Sequence, residues 1–116
     1  MGYYTSWSVE PLEVKSAADR AYFERALEFM REGSEDASES IEADGSTPPM
    51  ATKWYEWAND MRLMSMAFPD IVFVLKADGE DDDGRWVEYW RGGKVQHEDQ
   101  VITYGEFDET KLREVA

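Results

Sequence analysis

The chain has 116 residues, no cysteine, and a formal charge of −14 from 12 basic and 26 acidic side chains. That length suits one modest core, and 42% hydrophobic residues with five tryptophans, six tyrosines and five phenylalanines separate it from disordered sequences. The missing cysteines exclude disulfides, thiolate zinc sites and cysteine nucleophiles, while the acidic balance disfavours direct binding to nucleic acid, which needs clustered Lys and Arg.

Residues 2–14 offer Tyr4, Trp7 and Val9 for a first strand, and Pro11 limits how centrally its end can pair. This opening lacks a basic region followed by an apolar run, and no segment approaches the roughly 20 apolar residues of a membrane span. A single cytoplasmic domain covering 1–116 is therefore expected, with no membrane partner. Ser16 then sits at a helix start, with Asp19 three positions on and Gly33 placed to end the helix. Tyr22, Phe23, Ala26, Leu27, Phe29 and Met30 form its apolar stripe, and Glu24, Arg25, Glu28 and Arg31 lie largely outside it.

The stretch from 34 to about 50 is acidic and serine-rich and ends in Pro48-Pro49, which reads as a loop with at most a short edge strand around Ile41. Thr52 to Tyr55 makes a brief strand candidate. A second helix follows, with Trp57, Met61, Met64 and Phe68 at helical spacing and Pro69 as its stop. Ile71 to Leu75 is an unbroken apolar run expected at the centre of the sheet. After the acidic turn 78–84, Trp86 to Arg91 and Lys94 to His97 flank Gly92-Gly93, a pair suited to the positive φ angles of a type I′ hairpin. Val101 to Tyr104 resumes that strand, and Asp108 caps a final helical turn.

This order predicts an α+β fold: a ferredoxin-like two-layer sandwich with a mainly antiparallel sheet, two helices on one face and a C-terminal hairpin extension.

The acids are segregated. Glu35, Asp36, Glu39, Glu42 and Asp44 fall in 33–45; Asp78, Glu80, Asp81, Asp82 and Asp83 in 78–84; Glu98, Asp99, Glu106, Asp108 and Glu109 in 96–109; none of these stretches contains Lys or Arg. Elsewhere acids and bases nearly balance, so the charge is placed where solubility alone would not demand it. For DGEDDDG at 78–84, a calcium loop would need oxygens at positions 1, 3 and 5 with glycine at 6; aligning Gly84 puts Gly79 at position 1, and no Glu stands six residues further. A solvated turn that discourages strand pairing and a docking surface for a basic partner remain as readings, with weak opportunistic calcium binding a third. No metal site is assigned.

His97, the single histidine, is expected on the surface or partly packed. The chain matches no nucleophile elbow, Walker loop or dinucleotide fingerprint, so neither catalysis nor a cofactor is expected. Trp86, Glu88 and Trp90 share one hairpin face and Val87, Tyr89 and Arg91 the other, so an aromatic is expected to be exposed. Trp90 is the docking candidate.

The segments TKWYEW from Thr52, DM from Asp60, FPDIVFVL from Phe68, RWVEYWRGGKVQ from Arg85 and VITYGEFD from Val101, with the opening MGYYT, resemble a group of small phage and prophage proteins of unknown function. That resemblance implies a phage setting without an activity. TKW followed by a helix and an FP-apolar strand is more loosely similar to the YubB-type ferredoxin-like domains of plasmids and phages, which implies the same fold. The acidic stretch 34–47 belongs to neither pattern.

Two functions are expected from these features. The first is a small acidic accessory protein that binds and inhibits a basic, nucleic-acid-binding host protein, imitating nucleic-acid charge in an anti-restriction or anti-CRISPR role. The second is a non-enzymatic structural or regulatory domain that self-associates or binds a small ligand through its aromatic hairpin. Either would be a monomer or a weak homo-oligomer.

Overall fold

The computed structural model describes residues 4–79, 84–101 and 103–115. Strand β1 (Thr5–Pro11) is followed by helices α1 (Ala17–Gly33), α2 (Glu35–Ser40) and α3 (Trp57–Ala67), then by strands β2 (Phe73–Gly79), β3 (Arg85–Arg91) and β4 (Lys94–Asp99). The four strands form one antiparallel sheet in the order β1-β2-β3-β4. The architecture is α+β, with a helical layer on one sheet face. A ferredoxin-like βαββαβ chain would divide its helices between two crossovers. Here all three lie between β1 and β2, because 85–99 is spent on a hairpin and no helix separates the last two strands.

Register explains which side chains form the core. Trp7 pairs with Ala77 and Val9 with Leu75; Phe73 pairs with Trp90, Leu75 with Glu88 and Ala77 with Trp86. With alternating side chains, this places Trp7, Val9, Phe73, Leu75, Ala77, Trp86, Glu88 and Trp90 on the helical side. Phe23, Ala26, Leu27 and Met30 of α1 and Met61 and Met64 of α3 meet them, all buried. At one end the rings of Trp7, Trp54, Trp57 and Trp86 interlock, Trp7 meeting Trp54 edge-on at 5.2 Å and Trp86 at 5.8 Å. The Trp7 indole N–H is buried there without a hydrogen-bond partner among the described residues.

The two sheet edges differ. Along β1, Thr5 exchanges hydrogen bonds with Thr52 at 2.8 and 2.9 Å, and the Val9 N–H donates to the Gly45 carbonyl at 2.9 Å. The loop after α2 thus covers the β1 edge, where Pro11 also sits. All six residues of β4 are exposed. At the β3–β4 turn, Gly92 and Gly93 have φ of 58° and 80°, as a type I′ turn needs. The Gly93 N–H donates to Ser65 Oγ at 2.9 Å, fastening the turn to α3.

Three local expectations are corrected. The acidic loop from 34 to 50 begins with α2, since Ser34 caps it by accepting from the Ala37 N–H while Ala37, Ser40 and Ile41 are buried. Only Thr52 of the candidate strand at 52–55 bridges to the sheet; Trp54 turns into the core, where its N–H donates to Asp60 at 2.7 Å. Beyond β4 no strand forms among the described residues, and Val101 and Tyr104 are exposed. Among the described residues no helix is long and apolar enough to cross a membrane.

Candidate functional site

Helix α1 starts where Ser16 Oγ accepts from the Asp19 N–H at 3.1 Å, satisfying one of the free amides of its first turn. With the apolar stripe turned to the sheet, Glu24, Glu28 and Glu32 recur every four residues on the outer side. Four residues rise about 6 Å, so these carboxylates form a row about 12 Å long. Ser34 ends α1 and begins α2, its Oγ also donating to Asp60 Oδ2 at 2.6 Å.

The loop after α2 is clamped against α1. Arg31 Nε donates to the Ile41 carbonyl at 2.9 Å, and Arg20 donates to the Asp44 carbonyl at 2.8 Å. Gly45, with φ of 92°, lies so close to β1 that a Cβ there would stand 2.0 Å from the Val9 carbonyl oxygen. Asp44 Oδ1 accepts from the Ser46 hydroxyl at 2.6 Å and from the Ser46 N–H at 2.9 Å. These bonds, the hydroxyl's first, hold the Asp44 carboxyl below the usual carboxylate range, so it stays ionised at neutral pH.

An open groove results, lined by Glu24, Glu28, Arg31, Glu32, Ser38 and Asp44. Arg20 pairs with Glu24 at 3.7 Å, and the Arg31 Nε is spent on a carbonyl. The groove therefore offers several carboxylates, of which Asp44 is held by hydrogen bonds, with Glu35, Glu39 and Glu42 exposed on the adjoining α2 and loop and Asp36 half-buried. Such a surface is suited to Lys- or Arg-rich ligands.

Comparison with family models, curated proteins and solved structures finds no match to this chain.

The remaining acidic candidates lie elsewhere. Asp78 is on the sheet face away from the helices, paired with Arg85 at 3.3 Å. Glu80, Asp81, Asp82 and Asp83 lie outside the described residues. Trp90 is not on the surface: it is 4% exposed, packed against the helical layer with its N–H donating to Glu88 at 2.9 Å. The hairpin aromatic on the open face is Tyr89, because Trp90 follows the same alternation as Phe73, its cross-strand partner, into the core.

Composition did not mark Glu24, Glu28 and Glu32, although their four-residue repeat is the signal for a shared helix face. A second polar cluster was also hidden. Glu88, 4% exposed, accepts from Trp90 and lies 2.7 Å from His97 Nδ1, while His97 Nε2 lies 2.9 Å from Asp99 Oδ1. The imidazole also packs on Trp86 at 5.2 Å between ring centroids. Hydrogen bonds to Glu88 and then Asp99 raise the His97 pKa above its ordinary value, since only the imidazolium donates from both nitrogens. This cluster ties β4 to β3. Among the described residues no group of three or more His, Asp or Glu is placed to hold a metal ion.

Proposed function

We propose that this chain is a non-enzymatic accessory protein that binds and inhibits a basic, nucleic-acid-binding protein by presenting carboxylates in place of phosphates. The observation that carries this reading is the meeting of two acidic segments, the α1 row and the α2 loop, in one groove held by backbone clamps. Rigid like charges on one surface steer a cationic partner and compete with a polyanion for it. The phage setting implied by the sequence resemblance suits an inhibitor of anti-restriction or anti-CRISPR type acting on a host protein.

The test is competition. A bacterial lysate passed over the immobilised chain at low salt should yield a nucleic-acid-binding protein whose retention falls steeply with ionic strength. The chain should displace DNA or RNA from that protein. Replacing Glu24, Glu28, Glu32 and Asp44 by their amides should slow association by about tenfold or more while leaving the fold intact. Recovery of only salt-insensitive partners, or unchanged competition by the amide variant, would overturn the proposal.

A further inference from the structure

Two surfaces outside the acidic groove lack a partner among the described residues, and they complement each other. The first is the C-terminal arm. After Asp99 the Gln100 N–H donates to the Arg85 carbonyl at 2.9 Å, and the arm then leaves the sandwich. Its described large apolar residues are open to water: Val101 81%, Tyr104 89%, Phe107 78%, Leu112 67% and Val115 88% exposed. Asp108 caps a 3-10 turn at Glu109–Lys111, a local structure that covers none of them. The radius of gyration is 17.7 Å with a long axis of 57 Å, against about 13 Å expected for a compact chain near this length. So much exposed apolar surface on one short segment marks an interaction element.

The second surface is the open sheet face. Register puts Val74, Lys76, Arg85, Val87, Tyr89, Arg91 and Lys94 on it. In a chain so acidic, this face gathers four cations, together with Glu10 and Asp78, around an apolar strip of half-buried Val87 and Tyr89 beside the buried Val74. Glu98 lies there too, opposite Val87, and accepts from Gln96 at 3.0 Å. Lys76 is paired with Glu10 and Arg85 with Asp78, but Arg91 and Lys94 stand directly opposite each other across β3 and β4. Like charges so placed repel, and neither belongs to an ion pair among the described residues. Shallow depressions of about 380 and 370 Å³ flank the strip, one beside Val87 and Arg85 and one beside Tyr89, Arg91 and Lys94.

We infer that the arm of one copy docks on the open sheet face of a second copy, and that the exchange is reciprocal. Residues 101–109 contain Glu106, Asp108 and Glu109 with no Lys or Arg, alongside Tyr104 and Phe107. Aromatic rings would fill the depressions while the carboxylates meet Arg91 and Lys94. The acidic helical layers of two copies repel, so the sheet face around Arg91 and Lys94 is where copies of this chain would approach favourably. Two arms related by a two-fold axis close the contact, and one arm with one sheet face matches the roughly 20–30 residues per side of a stable interface. A partner of another kind is less well matched, because the arm supplies both apolar rings for the strip and carboxylates for Arg91 and Lys94.

The test is sedimentation equilibrium of the full chain over a wide concentration range. A dimer is expected. Tyr104→Ser with Phe107→Ser, and separately Arg91→Glu with Lys94→Glu, should each raise its dissociation constant at least about tenfold with unchanged circular dichroism. Glu106→Lys with Asp108→Lys should do the same, and mixing this variant with the Arg91→Glu, Lys94→Glu variant should restore a heterodimer. That rescue guards against loss of folding in one variant. Amide replacement in the acidic groove should leave the dimer intact, which separates this inference from the proposed function. A strict monomer, a dimer indifferent to both arm and face variants, or failure of the mixture to recover would overturn it.

Discussion

The buried carboxylate of Glu88 makes His97 the most informative single position for stability. His97→Ala removes one of two groups bonded to Glu88 and leaves the Trp90 N–H at 2.9 Å as its remaining protein partner. A hydrogen bond to a charged group contributes about 1.5–3 kcal/mol, and stranding a buried charge costs about 3–5 kcal/mol. The His97 side chain is 43% exposed, so solvent screens the pair and water can replace the ring. The expected loss is therefore about 1–2 kcal/mol at pH 6, or roughly 4–12 °C in melting temperature for a chain of this size. Its pH dependence has a definite sign. The folded pKa of His97 is raised, so its contribution is fully present below the unfolded value near 6.5 and is lost as pH rises through the folded value. Urea denaturation of both proteins from pH 5.5 to 9 measures the difference directly. A gap that stays constant, or one that widens with pH, would refute the imidazolium bridge.

The glycines and the core give sharper geometric tests. Gly92→Ala meets only the strain of positive φ, as nothing lies near its Cβ, and should cost about 1–2 kcal/mol in chemical denaturation. Gly93→Ala should cost more, because its Cβ would stand 2.7 Å from Met66 Cγ; equal costs would argue against that packing. Gly45→Ala should expose the Val9 amide to hydrogen exchange by pushing the loop from β1, where the Val9 carbonyl oxygen leaves no room for a methyl group. Phe73→Ala and Met61→Ala, both fully buried, should each lose about 2–5 kcal/mol by equilibrium unfolding, and a loss below about 1 kcal/mol would remove them from the core.

Elements whose signal is local were legible in the sequence. Ser16 caps α1, the glycine pair turns the hairpin, and the apolar run after Pro69 leads into β2, with Phe73 fully buried. Misreadings arose where one pattern serves two structures. Serine and acidic residues at 34–40 favour loops, yet Ser34 is also an N-cap and the buried Ala37 and Ser40 give α2 an inner face. Val101 and Tyr104 have strand propensity, but a strand needs a neighbour and β4 leads the chain away from one. The α+β class with its antiparallel sheet was legible while the ferredoxin-like detail is not shown, for a related reason: hydrophobic pattern reports elements, while strand order depends on which elements lie between them. The acidic segments themselves were visible as composition. Their convergence was not, because Glu24, Glu28 and Glu32 share α1 with Arg20, Arg25 and Arg31, and a linear count reads that helix as balanced.

Folding puts two of those arginines to a specific use. The Arg31 Nε and one Arg20 nitrogen point to the carbonyl oxygens of Ile41 and Asp44, so cations of α1 fasten the acidic loop through its backbone. A guanidinium bonded to a carbonyl satisfies a buried or edge acceptor without occupying a carboxylate. The loop is thereby held against β1 and α1 while most of the carboxylates around the groove keep their oxygens free. Solubility would require charge but not this fastening, since a mobile acidic loop solvates a protein equally well. Rigid placement matters for a ligand of fixed spacing, because a loop backbone ordered before the encounter costs less entropy to hold in register with a cationic surface. The same reasoning gives the two surfaces different roles. In the proposed scheme the clamped groove would present charge to a basic partner, and the arm, whose described apolar residues are exposed, would reach another chain.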